Sequence, residues 1–387
     1  MLNIVLTGWP SGGKTSVLNS IKERFSELGY NVIVVPETAT ELINSGIKPF
    51  GDNALPPVEF QEIVLRTQLN KEKLAKYAAS LMGDNTILIY DRGCLDGYAY
   101  VDPETWNQVL QKCNVNYRDL LLNYDAVLYL EGSPKFFTTE NNAARYESGA
   151  DEAREKGEKV LKSYIGHDNL RVIQPREEMK DKQEEVNNII ANMLGNPTRI
   201  RNQRKFLVES LDVETLAGVA SKVDITQDYL NSSDNYEYRL RCMSQKGSSS
   251  YHFAVLKKGE NGKREIIKEE IISKKAYEKL LLTKSESIET IRKSRYSFVH
   301  NKQYFKLDIF EDGLMMLEVN LTKENPELTI PEFVSVLDDV TNNSEYTNIN
   351  IARRKKEVYG KGQNNSSRGH RLLREGNAIK NPNWQFK

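Results

Sequence analysis

Apolar positions divide the chain into two textures. In the first half, short unbroken apolar runs alternate with longer amphipathic stretches. Leu2 to Thr7, Asn31 to Val35, Thr86 to Tyr90, Ala126 to Leu130 and Leu170 to Ile173 read as strands buried on both faces. Val17, Ile21 and Phe25 predict a helix stopped at Gly29. Pro57 to Leu81 predicts a long helix, and a last helix ends at Leu194. Strands alternating with helices predict a parallel sheet with helices on both faces. Gly195-Asn196-Pro197 breaks this pattern.

Beyond the break, apolar and polar residues alternate, as in strands with one wet face. Lys205 to Val208, Tyr236 to Cys242, Tyr251 to Lys257, Glu265 to Ile272, Tyr304 to Phe310 and Gly313 to Leu321 predict strands. Ser273 to Thr283 and Pro331 to Val340 predict helices. The expected organisation is an α/β domain over 1–196, an antiparallel α+β domain over 197–352, and a tail over 353–387. The tail carries ten Lys/Arg against Glu357 and Glu375, a net of +8. It reads as a solvated, mobile segment, or as an electrostatic contact with nucleic acid or an acidic membrane.

Composition adds limits. The 387 residues exceed one ordinary core. Lys+Arg and Asp+Glu balance at 54 each, so overall charge points to no nucleic-acid partner. Cys94, Cys113 and Cys242 form no C-x-x-C pair, which argues against a zinc site or a disulfide framework. No basic signal-type N-terminus and no membrane-length apolar run is present, so a cytoplasmic location is expected.

The sharpest chemical signal is Gly8-Trp9-Pro10-Ser11-Gly12-Gly13-Lys14-Thr15, followed by Ser16. It fits the phosphate-binding pattern G-x-x-x-x-G-K-[ST], between an apolar strand and a helix. Gly8, Ser11, Gly12 and Gly13 would let backbone N–H groups turn inward around phosphate oxygens. Lys14 would reach the β/γ-phosphates of ATP or GTP, Thr15 would ligate Mg²⁺, and Ser16 completes the cradle. Asp91 ends the third strand, where parallel sheets bind ligands. It could hold Mg²⁺ through water, accept a proton from a substrate hydroxyl, or simply cap a helix. Glu37 ends the second strand, as a general base, an acceptor-binding group or a first-turn Glu. Arg145, and secondarily Arg154, could close over a transferring phosphoryl group; a solvated helix face is the plain alternative. His167 reads more readily as structural than functional.

Together with Pro36-Glu37-Thr38-Ala39, Phe60-Gln61, Asp91-Arg92-Gly93-x-x-Asp96-Gly97, Tyr124-Asp125-x-Val127, Asn142-x-x-Arg145-x-Glu147 and Gly166-His167, the loop resembles one AAA-type family. That family groups the ribosylnicotinamide-kinase domain of the bacterial NAD regulator with the fly TRPL translocation defect protein. The resemblance implies a fold similar to thymidylate and deoxynucleoside kinases over most of 1–195. It implies either a nucleoside-type kinase, with Arg92 and Arg145 clamping phosphates, or a GTP- and phosphoinositide-binding trafficking protein.

The second half resembles the CYTH, or triphosphate-tunnel, domain. The resemblance rests on Lys205-Phe206-Leu207-Val208, Thr226-Gln227-Asp228-Tyr229-Leu230, Arg239-x-Arg241, Lys257, Lys293-x-Arg295-Tyr296, Leu314-x-x-Leu317-Glu318-Val319 and Asp339-Val340-Thr341. It implies a small antiparallel barrel with a charged lumen. Metal-dependent members begin with Glu-x-Glu-x-Lys; here those acids are Arg201 and Gln203. The R-x-E-x-E stretch is Arg264-Glu265-Ile266-Ile267-Lys268, and the closing pair is Glu318-x-Asn320. Triphosphate hydrolysis needs a divalent ion on carboxylate oxygens. A lumen that keeps Lys205, Arg239, Arg241, Lys257, Lys293, Arg295 and Glu318 but loses those acids is expected to bind an anionic small molecule, polyphosphate or phosphoinositide without cleaving it. Three functions follow: a small-molecule kinase or NTPase, a GTP-regulated phosphoinositide-binding protein, and a nucleic-acid end kinase using the basic tail.

Overall fold

The computed structural model describes residues 1–10, 12–132, 149–195, 203–232, 235–245, 248–258, 264–321 and 327–362. The chain divides into two compact units. One is Met1–Gln203 with Ser297–Phe305 and Val319–Thr329; the other is Arg204–Tyr296 with Lys306–Glu318 and Ile330–Lys387.

The first unit holds a five-stranded sheet. Its strands are β1 (Leu2–Gly8), β2 (Asn31–Val35), β3 (Thr86–Asp91), β4 (Ala126–Leu130) and β5 (Leu170–Ile173), in the order β2-β3-β1-β4-β5. All four pairings are parallel. The unbroken apolar runs are explained by what covers them. On one face Val5, Leu88, Tyr90, Val127 and Tyr129 pack against Leu65 and Ala79 of α3 (Pro57–Met82), Trp106 and Val109 of α4 (Pro103–Cys113), and Val160 of α6 (Ala150–Tyr164). On the other, Ile4, Leu6, Ile87, Ile89 and Leu128 meet Val17, Ile21 and Phe25 of α1 (Lys14–Glu27), and Val186, Ile189 and Ile190 of α7 (Met179–Met193). Two short helices, α2 (Thr38–Asn44) and α5 (Tyr117–Leu121), and a 3-10 turn at Asp96–Tyr100 complete the unit. Because β1 is central, its C-terminal end opens where the strand order reverses, the usual ligand position in such sheets.

The second sheet has nine strands, in the order β10-β9-β8-β7-β11-β12-β13-β6-β14. They are β6 (Gln203–Leu211), β7 (Ser221–Tyr229), β8 (Tyr236–Gln245), β9 (Ser248–Lys258), β10 (Arg264–Ile272), β11 (Ile291–His300), β12 (Gln303–Phe310), β13 (Met315–Asn320) and β14 (Val334–Asp339). The β7/β8, β8/β9, β9/β10 and β6/β14 pairs are antiparallel. Helix α8 (Val213–Val219) follows β6, and α9 (Lys274–Leu281) follows β10, capped by Ser273 Oγ accepting from Ala276 N at 3.2 Å.

Two expectations need correction. Pro331 to Val340 is not a helix. Val334 to Asp339 pair antiparallel with β6 through two register shifts, and the β-branched Val334 and Val336 suit that pleat. The tail does not begin at 353, because α10 (Asn348–Gly362) runs through that point. Lys355 within α10 lies 3.2 Å from Asp312. Residues 363–387 lie outside the described residues.

Candidate functional site

The glycines of the P-loop are required by their surroundings. Gly8 closes β1 at φ 137°, and a Cβ there would lie 2.1 Å from the Leu130 carbonyl oxygen. Gly12 would bring a Cβ within 2.9 Å of the same atom. Gly13, at φ 85°, is the N-cap of α1. Trp9 N donates to Leu130 O at 3.1 Å and Gly12 N to Trp9 O at 3.0 Å, tying the loop to the end of β4. Gly8→Ala would combine a backbone clash with a left-handed φ, and is expected to cost about 3 kcal/mol or more. Thermal unfolding of the variant checks this; an unchanged Tm would contradict the geometry.

The loop opens on a cavity of about 520 Å³ lined by Gly12, Gly13, Lys14, Thr15, Ser16, Glu37, Asp91 and Arg92, among others. Lys14 Nζ donates to Trp9 O at 2.9 Å. Burial, helped by the Arg92 guanidinium, lowers its pKa to about 8 against the pull of Glu37, Asp91 and Asp96.

Glu37 stands at the N-cap of α2 but makes no capping bond with its side chain. Its Oε1 instead lies 2.5 Å from Arg92 Nε. Burial would raise its pKa, but Arg92 and Lys14 outweigh burial and hold it ionised below the usual range. Arg92 has φ 68°, an uncommon backbone state for a side chain of that size. Its N–H donates to Leu6 O at 3.1 Å, and its guanidinium also lies 3.3 Å from Asp96. Asp96 accepts from Thr7 Oγ1 at 2.5 Å, Gly93 N at 3.0 Å and Tyr164 Oη at 2.7 Å. Asp91 caps no helix, since the following 3-10 turn starts at Asp96 with Leu95 as its N-cap. Its Oδ1 is buried without a hydrogen-bond partner among the described residues. Burial raises its pKa, opposed mainly by Lys14.

Beside these groups the cavity continues to Phe60, Gln61, Gln68, Tyr100 and Trp106. Gln61 Oε1 and Trp106 Nε1 are both buried without a hydrogen-bond partner among the described residues. Gln68 is instead fixed, donating to Glu72 at 2.9 Å.

The structure thus brings Gly12, Gly13, Lys14, Thr15, Ser16, Glu37, Asp91 and Arg92 to one cavity, with Gly8 at the root of the loop. Ser11 and Arg145 lie outside the described residues. Arg154 is exposed and lies 3.7 Å from Asp151. His167 is structural: Nδ1 accepts from Asn169 N at 3.0 Å, which leaves Nε2 to donate to Tyr124 O at 2.9 Å. Asp96, Gln61, Trp106 and Lys182 were given no role from the sequence.

In the second sheet the charged residues follow strand parity. On β8, Glu237, Arg239 and Arg241 share one face, while Tyr238, Leu240 and Cys242 pack with Tyr277 of α9 on the other. Asp308 lies 2.6 Å from Lys293 Nζ and takes two bonds from Arg295, at 2.7 and 2.9 Å. Lys306 pairs with Glu318, and Arg241 donates to Gln227 at 3.2 Å. Burial lowers Lys293 to about 8. Glu318 is held near 2, because Lys306, Arg295 and Lys205 outweigh its burial. The same face also carries the apolar cluster of Leu207, Tyr229, Ile291, Phe310 and Met316. A sheet face this charged and this buried fits a sheet curled around its own side chains. Lys257 is corrected: it is exposed and pairs with Tyr236, on the face opposite Arg239 and Arg241. Lys306 is the buried lysine that the sequence reading missed. Arg201 lies outside the described residues.

Residues 3–182 match the family model of an AAA domain. With the loop geometry, the match supports nucleotide binding by this segment, with phosphoryl transfer or hydrolysis as the class of chemistry it suggests. No curated protein matches the chain. Among solved structures, the inorganic triphosphatase NE1496 is 26% identical, covering 41% of this chain and 97% of that one, with a TM-score of 0.31. The PH1819 protein from Pyrococcus horikoshii OT3 is 20% identical, covering 32% and 79%, with a TM-score of 0.26. Among the described residues, no helix is long and apolar enough to cross a membrane.

Proposed function

We propose that the first unit binds Mg²⁺ with ATP or GTP and transfers the γ-phosphoryl group to a hydroxyl of a small, nucleoside-type molecule. One observation carries this reading: the P-loop lysine, the Asp91 carboxylate and the Glu37–Arg92 pair line a single cavity. Asp91 Oδ1, which has no hydrogen-bond partner among the described residues, and the Thr15 hydroxyl are hard oxygen donors that would hold a magnesium ion. When bound, that ion neutralises phosphate charge. Lys14 exchanges its bond to Trp9 O for phosphate oxygens. Glu37, ionised and held by Arg92, orients the acceptor hydroxyl and receives its proton. Phosphoryl transfer through a loose transition state asks mainly for such positioning. Gln61 Oε1 calls for a donor on the acceptor, and Trp106 Nε1 for an acceptor atom.

Glu37→Gln keeps the side-chain shape and removes the charge. It is expected to lower transfer to the hydroxyl by about 10²–10⁴-fold while NTP affinity stays within a few-fold. Product formation and nucleotide titration, measured on the same preparation, separate the two. Unchanged transfer would exclude Glu37 as the acceptor-side group.

The second sheet supports an additional anion site. Its shared face gathers Lys205, Arg239, Arg241, Lys293, Arg295 and Lys306, with Glu237, Glu269, Asp308 and Glu318 among them. That gathering of cations also favours the alternative reading, in which a GTP-regulated protein holds a phosphoinositide headgroup or polyphosphate there. Saturable inositol-phosphate binding without an acceptor-stimulated loss of NTP would select it.

A further inference from the structure

Helix α7 runs beside the P-loop, and two of its residues, three positions apart and therefore on one face, reach the loop. Met179 lies so close to Gly13 that a Cβ there would sit 2.7 Å from its Cε. Lys182 Nζ donates to Gly12 O at 2.8 Å and to Glu131 O at 2.7 Å. The ammonium thus ties the loop to the chain that leaves β4. Lys182 is only 4% exposed, on the same stripe of α7 as the apolar Val186, Ile189 and Ile190. An apolar side chain would fill that space without desolvating a charge. Burial lowers its pKa to about 8, with Glu131 and Glu185 opposing and Arg176 adding to the effect. A costly charge kept at this position needs a task that its carbonyl bonds perform.

Peptide geometry supplies the task. No cis peptide is present among the described residues, and in a trans peptide the C=O of one residue and the N–H of the next point in opposite directions. Holding Gly12 O against Lys182 therefore fixes the Gly13 N–H away from α7. We propose that Lys182 is a positioning residue: it holds the Gly12–Gly13 peptide in the orientation that presents the Gly13 N–H to a bound phosphate. Met179 of the same helix packs against Gly13. This deepens the nucleotide-binding reading and rests on it. Helix α7 then holds the loop in its binding shape, so that little reorganisation accompanies phosphate entry.

The test uses the full chain, with Lys182→Met and Lys14→Ala beside wild type. Calorimetric titration with Mg·ATP and Mg·GTP is paired with spectra of ¹⁵N-glycine-labelled protein during addition of inorganic pyrophosphate. The expected result is a ten- to hundred-fold weaker NTP affinity for Lys182→Met at temperatures well below its unfolding. The Gly13 amide proton should move downfield with pyrophosphate in wild type and much less in the variant. A merely structural lysine would lower the Tm and leave both readouts unchanged, and that outcome overturns the proposal. If Lys182→Met does not fold, the wild-type Gly13 amide decides alone: a downfield shift supports the proposal and a static resonance overturns it. Wild-type protein that binds no NTP at all would instead overturn the nucleotide-binding reading on which the proposal rests.

Discussion

Lys14→Ala is expected to lower NTP turnover by about 10²–10³-fold, the usual scale for removing one preorganised donor to developing phosphate charge. Lys14 is the P-loop lysine and faces the cavity beside Glu37, Asp91 and Arg92. Its ammonium is free to leave Trp9 O, because that bond is to a loop carbonyl and not to a fixed carboxylate. Because its pKa sits near 8 and bound phosphate favours the protonated form, NTP affinity should be level below that pH and fall as pH rises through it. The sign is set by the charge: raising the pH removes the proton that the anion needs. In Lys14→Ala the part of this decline that belongs to Lys14 should vanish. Turnover within three-fold of wild type would remove Lys14 from the site.

The largest stability effect is expected at Asp308. Its carboxylate is the shared partner of Lys293 and Arg295, and all three groups are largely buried. Burial would raise its pKa, but the two cations hold it far below the usual carboxylate range. Asp308→Ala removes the carboxylate that Lys293 and Arg295 share, and removing one partner of such a buried group costs about 3–5 kcal/mol. Denaturant unfolding measures it, and a loss below about 1 kcal/mol would place the pair in solvent. Acid should act in the same direction. Glu318 titrates near 2 in the folded chain and near 4.5 in a free side chain, so the unfolded chain binds more protons between these values. Its contribution is complete above about 4.5 and is lost as pH falls toward 2.

Much of the first unit was legible because each strand is covered on both faces, which leaves unbroken apolar runs such as Thr86 to Tyr90. The P-loop was legible because its spacing is fixed by backbone geometry. Helix α4 was overlooked, although Trp106, Val109, Leu110 and Cys113 mark its buried stripe. The polar lining was harder to see. Gln61, Gln68 and Glu72 recur at near-helical spacing with Leu65 on the buried side of α3, and Lys182 shares a stripe with Val186 and Ile189. A polar residue on an apolar stripe is the available signal, but it shows only that a partner exists. The partners, Gly12 O and Glu131 O for Lys182, are 170 and 51 positions away.

In the second sheet, parity sorts each strand into two faces without saying which one is inside. Lys257 was therefore assigned to the charged face, and Lys306, two positions before Asp308, was passed over. Strands β7 and β11 escaped the alternation pattern because their buried faces mix Gln227, Lys293 and Ser297 with apolar residues. Buried ion pairs of this kind blur the hydrophobic period that sequence reading depends on.

The most direct measurement is the fate of the γ-phosphate. Purified protein with Mg²⁺ and γ-labelled ATP or GTP is offered a panel of nucleosides and related hydroxyl compounds, with Lys14→Ala and Glu37→Gln as controls. Label recovered on an acceptor, and lost in both variants, is the predicted result. NTP bound tightly but released only as slow free phosphate, indifferent to every acceptor and to Glu37→Gln, would contradict phosphoryl transfer to that panel.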